Sequence, residues 1–220
     1  NYSWKTAGDK REIIHFHMKE ISEQHKEVNV KFTLPNSDEG LEILYEIYGN
    51  GEIVIHNKFI PNKEIIRFGM QVNIPREFEN IEWYGRGPHE TMEDRKKGAP
   101  VGSYSGLVED LIHNYVRPQE NGNRTDIRHV MFTNYSKKGI LISDVSGDYL
   151  NFSAWPYSME DLETASHIHE LPNRGYITLN IDYKQKGVGG DLPGVPSVHK
   201  KFILKKNKVY RYAFSLKLEF

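Results

Sequence analysis

The sequence contains no cysteine, almost no net charge and no long apolar run. Each absence closes a route. Without thiols there are no disulfides and no thiolate metal centres, and the redox compartment cannot be read. A bilayer-spanning helix needs about 20 consecutive apolar residues, so no membrane partner is expected. Twenty-nine Lys and Arg stand against 30 Asp and Glu, which removes the electrostatic drive toward nucleic acid. The first residues, NYSWKTAGDKREIIHF, carry neither an initiator methionine nor an apolar leader and read as part of something longer.

What the chain does contain is alternation. At 220 residues it is long enough to hide roughly 70% of its unfolded surface. YRYAFSLKLEF places Tyr210, Tyr212, Phe214, Leu216, Leu218 and Phe220 on one face, a period of two that suits a half-buried strand. Ile66, Phe68, Met70, Val72 and Ile74 repeat the pattern, as do Ile14, Phe16 and Met18, and Ile177, Leu179 and Ile181. Tyr48-Gly49-Asn50-Gly51 and Lys137-Lys138-Gly139 are hairpin turns by composition. Only YSMEDLETASH predicts a helix, at most one short one over 158–166, with Ser158 as its cap. No repeat or long linker divides the chain, so residues 1–220 are expected to form one all-β sandwich or barrel. Its long polar segments, 85–104, 114–128 and 187–199, then become loops at the sheet edges, where sites are usually built.

The polar stretch YVRPQENGNRTDIRH holds Glu120, Asn121, Arg124, Asp126 and Arg128. Carboxylates, amides and guanidinium groups each meet a pair of sugar hydroxyls with two bonds, so the composition suits a polyhydroxyl ligand. The plainer reading is a surface loop in which Arg124 or Arg128 pairs with Glu120 or Asp126. In IEWYGRGPHETMEDRKKG, Glu90, Glu93 and Asp94 near Trp83 and Tyr84 could form the carboxyl pair that glycoside cleavage requires. Nothing visible raises a pKa there, which favours a plain polar loop. Two H-x-H pairs, His15/His17 and His167/His169, could each hold zinc or copper, but no spacing supplies further ligands and no metal is assigned. Gly187-Val188-Gly189-Gly190-Asp191 lacks the lysine and helix of a phosphate loop and reads as a tight turn.

Taken in order, IEWYGRGPHETMEDR, YVRPQENGNRTDIR, SAWPYSMEDLETASHIHEL, NIDYKQKGVGGD and PSVHKKF resemble the C-terminal domain of bacterial β-galactosidases of glycoside hydrolase family 2. In heterodimeric members this region is the small subunit. The match runs from about Ile81 to Phe220, and residues 1–80 fit by strand pattern alone. The resemblance implies a β-supersandwich of the galactose mutarotase-like type. It also implies that both catalytic glutamates sit on a barrel in another domain, because no βα alternation of the needed length exists here.

On that basis no residue of this chain is expected to be catalytic. Candidate substrate contacts are Glu120, Asn121, Arg124 and Arg128, then His167 and His169, and Asp191 of the GGD turn. Family members that reach the sugar from this domain offer an aromatic after that turn, where this chain has Gly194. The chain itself is expected to hold no cofactor, and any Mg or Na used by the whole enzyme is expected in other domains. Expected partners are the rest of the β-galactosidase chain and a galactoside sugar, with a homo-oligomer as the full enzyme. The compartment stays open between bacterial cytoplasm and periplasm. Two alternatives remain: a non-catalytic carbohydrate-binding or assembly module, and a stand-alone mutarotase using His169 and Glu120 in one pocket.

Overall fold

A computed structural model of the chain describes residues 2–190 and 198–219. Its first six strands are β1 (Ile13–Ser22), β2 (His25–Leu34), β3 (Ser37–Tyr48), β4 (Ile53–Phe59), β5 (Arg67–Pro75) and β6 (Asn80–Arg86). The others are β7 (Val101–Leu107), β8 (Arg124–Ile127), β9 (His129–Thr133), β10 (Gly139–Asp144), β11 (Leu150–Trp155), β12 (Tyr176–Gln185) and β13 (Tyr210–Glu219). Nine form one sheet in the order β1-β2-β3-β4-β13-β10-β9-β6-β7, and four form a second, β5-β12-β11-β8. Neighbours run antiparallel. The fold is the all-β supersandwich that alternation and resemblance led one to expect.

Alternation explains which faces meet. Ile177, Leu179 and Ile181 of β12 are all but fully buried, with Leu150 and Phe152 of β11 and Ile127 of β8 beside them. They face Ile43, Ile55, Phe132, Ile142 and Phe214 of the larger sheet, and together these residues make one continuous core. Aromatic rings stitch the sheets across it. Phe152 meets Phe132 edge-on at 6.4 Å and Trp83 at 6.0 Å, while Phe68 meets Tyr212 at 5.1 Å. These are the separations at which ring pairs contribute beyond their buried area.

At two margins the expected half-burial is not met. Ile14, Phe16 and Met18 of β1 remain 57%, 62% and 61% exposed. Phe16 pairs with Val30 and Met18 with Val28, so they extend the inner face past the part that the second sheet covers. Leu218, near the end of β13 and beyond its ladder with β4, is 47% exposed, and Phe220 lies outside the described residues.

The turns carry the expected chemistry. Gly51 takes φ +83° at the β3–β4 hairpin and donates its N–H to the Tyr48 carbonyl at 3.0 Å. At the β9–β10 hairpin the Asn134 side chain accepts from the amides of Ser136 and Lys138 at 3.0 and 3.1 Å. Besides one helical turn, α1 (Tyr2–Lys5), the chain forms α2 (Met159–Thr164) where a helix was predicted. Ser158 Oγ accepts from the Asp161 amide at 3.1 Å, and Asp161 Oδ2 accepts from the Ser158 amide at 2.8 Å, a reciprocal capping box. Arg174 grips the same carboxylate, donating from Nη2 at 2.6 Å and from Nε at 3.1 Å. Among the described residues no helix is long and apolar enough to cross a membrane.

Two stability outcomes follow from this packing. Phe152→Ala is expected to cost about 3–5 kcal/mol in urea denaturation, the range for removing a fully buried ring. The Arg174 bonds and the Ser158 amide hold the Asp161 carboxyl well below its ordinary value of 3.8. Its stabilisation is therefore complete above that value and is lost as pH falls below it. Asp161→Asn should lower the melting temperature at neutral pH and make the acid-side decline shallower.

Candidate functional site

On β12, Thr178, Asn180 and Asp182 alternate with the core residues and face away from the sandwich. The ladder sets Asn180 between Gln71 of β5 and Ser153 of β11, and Asp182 between Gly69 and Asn151. Gln71 Nε2 donates to Asn180 Oδ1 at 2.8 Å, and Asn180 Nδ2 donates to Ser153 Oγ at 3.0 Å. Loops and α2 rise over this polar back face, leaving a cleft of about 990 Å³ whose lining includes Arg67, Gln71, Glu120, Asn180 and Asp182.

Asp182 is the most constrained group in the cleft. Its side chain is 1% exposed. A Cβ on Gly69 would fall 1.8 Å from its Oδ1, so the strands can approach here only with glycine at that position. Gln185 Nε2 donates to Asp182 Oδ2 at 3.1 Å and to Asn123 Oδ1 at 3.2 Å. Arg67 Nε lies 3.0 Å from Asp182 Oδ2 as an ion pair, while its terminal nitrogens bond both Glu120 oxygens. Burial pushes the Asp182 carboxyl up to about 6 against the pull of Arg67 and Gln185. Burial pulls the Arg67 guanidinium the other way, but Asp182 and Glu120 outweigh it and hold it charged. Asp182 Oδ1 is buried without a hydrogen-bond partner among the described residues. An orphaned polar atom on a cleft floor favours a polar occupant.

Of the residues proposed from sequence, Glu120 alone lines this cleft among those described. Asn121 is buried beneath the loop, where its Oδ1 accepts from the His113 amide at 3.1 Å and its Nδ2 donates to the Gln119 carbonyl at 2.9 Å. Arg124 is 4% exposed and spends its guanidinium on the carbonyls of Leu111, Gly122 and Pro88 at 3.0, 2.6 and 2.7 Å. Burial lowers its pKa to about 10, with Glu90 opposing. Arg128 donates to the Asp126 carbonyl at 2.6 Å and lies 3.8 Å above the Tyr149 ring. The simple pairing of Arg124 or Arg128 with these carboxylates is not the one formed. Asp126 instead takes Arg86 and Lys96, each at 2.5 Å, and Glu120 takes Arg67.

The remaining candidates scatter. His167 and His169 stack at 5.5 Å on an exposed turn, with His167 Nδ1 3.1 Å from Glu170, away from the cleft. His15 and His17 are exposed on β1. Asp191 and Gly194 lie outside the described residues. The Glu90, Glu93 and Asp94 carboxylates are engaged in bracing. Glu90 accepts from Tyr115 Oη at 2.8 Å and from the Gly122 amide at 2.6 Å; Glu93 accepts from Asn151 Nδ2 at 3.1 Å; Asp94 accepts from the Gly189 amide at 2.7 Å. Arg67, Gln71, Asn180 and Asp182 escaped sequence reasoning. Their only signal was an Asn-x-Asp step inside an alternating strand, which looks the same when the polar face is simply solvated.

The beta galactosidase small-chain family model matches residues 1–216. A β-galactosidase of Priestia megaterium is 36% identical over 222 residues, covering 98% of this chain and 21% of that protein. One from Lactobacillus delbrueckii subsp. bulgaricus is 36% identical over 213 residues, covering 93% of this chain and 20% of that protein. This chain thus spans about a fifth of the length of these relatives. Among solved structures, the α-galactosidase from Lactobacillus brevis superposes with a TM-score of 0.51 at 10% identity, over 96% of this chain and 27% of that one. A galactose 1-epimerase from Lactobacillus acidophilus reaches 0.49 at 9% identity, over 93% of this chain and 66% of that one. Identity this low speaks to fold only, but the family model takes in nearly every residue from the first strand to the last, and on that ground the chain belongs to the β-galactosidase small-chain family.

Proposed function

We propose that this chain is the C-terminal domain of a β-galactosidase, supporting and partly lining an active site whose catalytic glutamates belong to a separate barrel. The whole enzyme would hydrolyse terminal β-galactosides with retention, through a covalent glycosyl-enzyme. The observation that carries this reading is the open apolar band on β1. Phe16 and Met18 sit on the face that elsewhere forms the core, yet they and the adjacent Ile14 are each more than half exposed. Covering such a side chain contributes about 1.5–3 kcal/mol, so a neighbouring part of a longer polypeptide is the natural cover. The span of about a fifth of the relatives' length supports the same partner. The engagement of Glu90, Glu93 and Asp94 in bracing bonds supports chemistry carried out elsewhere.

A second reading, a carbohydrate-binding module, is favoured by the cleft floor. Asp182, Asn180, Gln71, Arg67 and Glu120 supply a carboxylate pair, amides and a guanidinium in one place, the chemistry that meets vicinal hydroxyls. His169 does not line that cleft, which removes the pairing with Glu120 on which a mutarotase reading depended.

In the full-length protein, Phe16→Lys with Met18→Lys is expected to lower β-galactoside turnover at least tenfold. The chain carrying the same changes should keep its circular dichroism spectrum, and unchanged turnover would contradict the supporting role. The isolated chain should not turn over a chromogenic β-galactoside. Calorimetric titration of the chain with galactose tests the module reading: millimolar binding that disappears in Glu120→Ala and Asp182→Asn supports it. Absence of heat at any concentration removes it.

A further inference from the structure

The outer face of the β2–β3–β4 end carries a second polar cluster, on the side of the large sheet opposite the core. Glu27 on β2 stands directly across the ladder from Glu46 on β3. Two carboxylates so placed repel one another. His25, two residues before Glu27, shares that face, and Tyr48 stacks its ring on His25 at 4.5 Å and 14°. One ligating atom from each of His25, Glu27 and Glu46 lies within 4.8 Å of the other two.

Two details separate this cluster from an ordinary acidic patch. His25 Nε2 is buried and has no hydrogen-bond partner among the described residues, and its approach to Glu46 Oε1, at 3.6 Å, is too long to be one. Leaving a buried ring nitrogen unmet is costly, so the site is arranged for something other than a proton bridge. The second detail is the bracing of Glu46. His56 Nε2 of β4 lies 2.6 Å from Oε2, the oxygen away from His25, and Tyr48 Oη donates at 3.3 Å to Oε1, the oxygen nearest His25. Both contacts fix the carboxylate's orientation, as the outer partners of a metal-binding carboxylate do.

We propose that His25, Glu27 and Glu46 bind a divalent cation of the zinc class through His25 Nε2 and one oxygen of each carboxylate, with His56 as a positioning residue for Glu46. One imidazole nitrogen with two carboxylate oxygens is a donor set for zinc and its neighbours in the transition series rather than for calcium, which takes six or more oxygens. Donor atoms around tetrahedral zinc are separated by about 3.3 Å, close to the His25–Glu46 spacing. The cation would offset the Glu27–Glu46 repulsion and tie β2 to β3 beside the hairpin that carries the uncovered β1. Neither H-x-H pair takes part.

Zinc chloride titrated calorimetrically into the chelator-treated chain should saturate at one site and raise the melting temperature. His56→Ala should weaken binding about tenfold or more, and His25→Ala and Glu46→Gln should weaken it further. The exposed-pair variant His167→Ala/His169→Ala should bind as the parent does. If Glu46→Gln does not fold, judged by circular dichroism, Glu27→Gln replaces it with the same expectation. No saturable binding by the parent chain overturns the proposal. So does zinc binding that persists in His25→Ala and the glutamate variant, or that disappears with His167 and His169.

Discussion

The inner face of the nine-stranded sheet is wider than the four-stranded sheet packed on it, and this mismatch governs the rest of the molecule. Where the two overlap, side chains from both pleats interdigitate around Phe152 and the core is continuous. Where they do not, the larger sheet runs on as the β1–β2–β3 hairpins with an apolar face left open among the described residues. The backbone ladder and the exposed Lys26–Glu20 ion pair hold β1 to β2. Much of the apolar surface of β1 therefore stays in contact with water.

The smaller sheet has the reverse arrangement. Its inner face is fully engaged, and its back face is polar and roofed by loops, so that Asn151, Ser153, Thr178, Asn180 and Asp182 are buried among partners of their own kind. Burying an aspartate requires compensation. Arg67 provides it, drawing Glu120 from a distant loop into the same network. The network both supports the loops and furnishes a concave polar floor. The groups that satisfy one another also line the cleft, and Asp182 Oδ1 stands out as unpaired among the described residues.

The loops illustrate how composition misleads about role. A stretch rich in Asn, Arg, Asp and Glu reads as a binding surface, yet Asn121, Asn123 and Arg124 are among the most buried polar residues of the chain. They hold neighbouring carbonyls, amides and side chains in place. A loop without regular structure still has to satisfy its backbone groups when it packs over a sheet, and planar side chains do that well. Glu90, Glu93 and Asp94 serve the same end through their bonds to Gly122, Asn151 and Gly189.

Strand periodicity, hairpin turns and the Ser158-capped helix were legible in the sequence because each depends on residues a few positions apart. Period-two burial, a positive-φ glycine and a capping box are local physics. The family, too, was legible, because ordered motifs survive when structure is unknown. Three-dimensional packing alone decided which alternating strand became core and which became margin: Ile14–Phe16–Met18 and Ile177–Leu179–Ile181 carry the same pattern, and only the extent of the opposing sheet tells them apart. It alone brought Arg67, Glu120 and Asp182 together across more than fifty residues of chain, and set His25 beside Glu46 across a strand pair. Pairing between distant segments is set by sheet order and register, and neither is written in any short stretch of sequence.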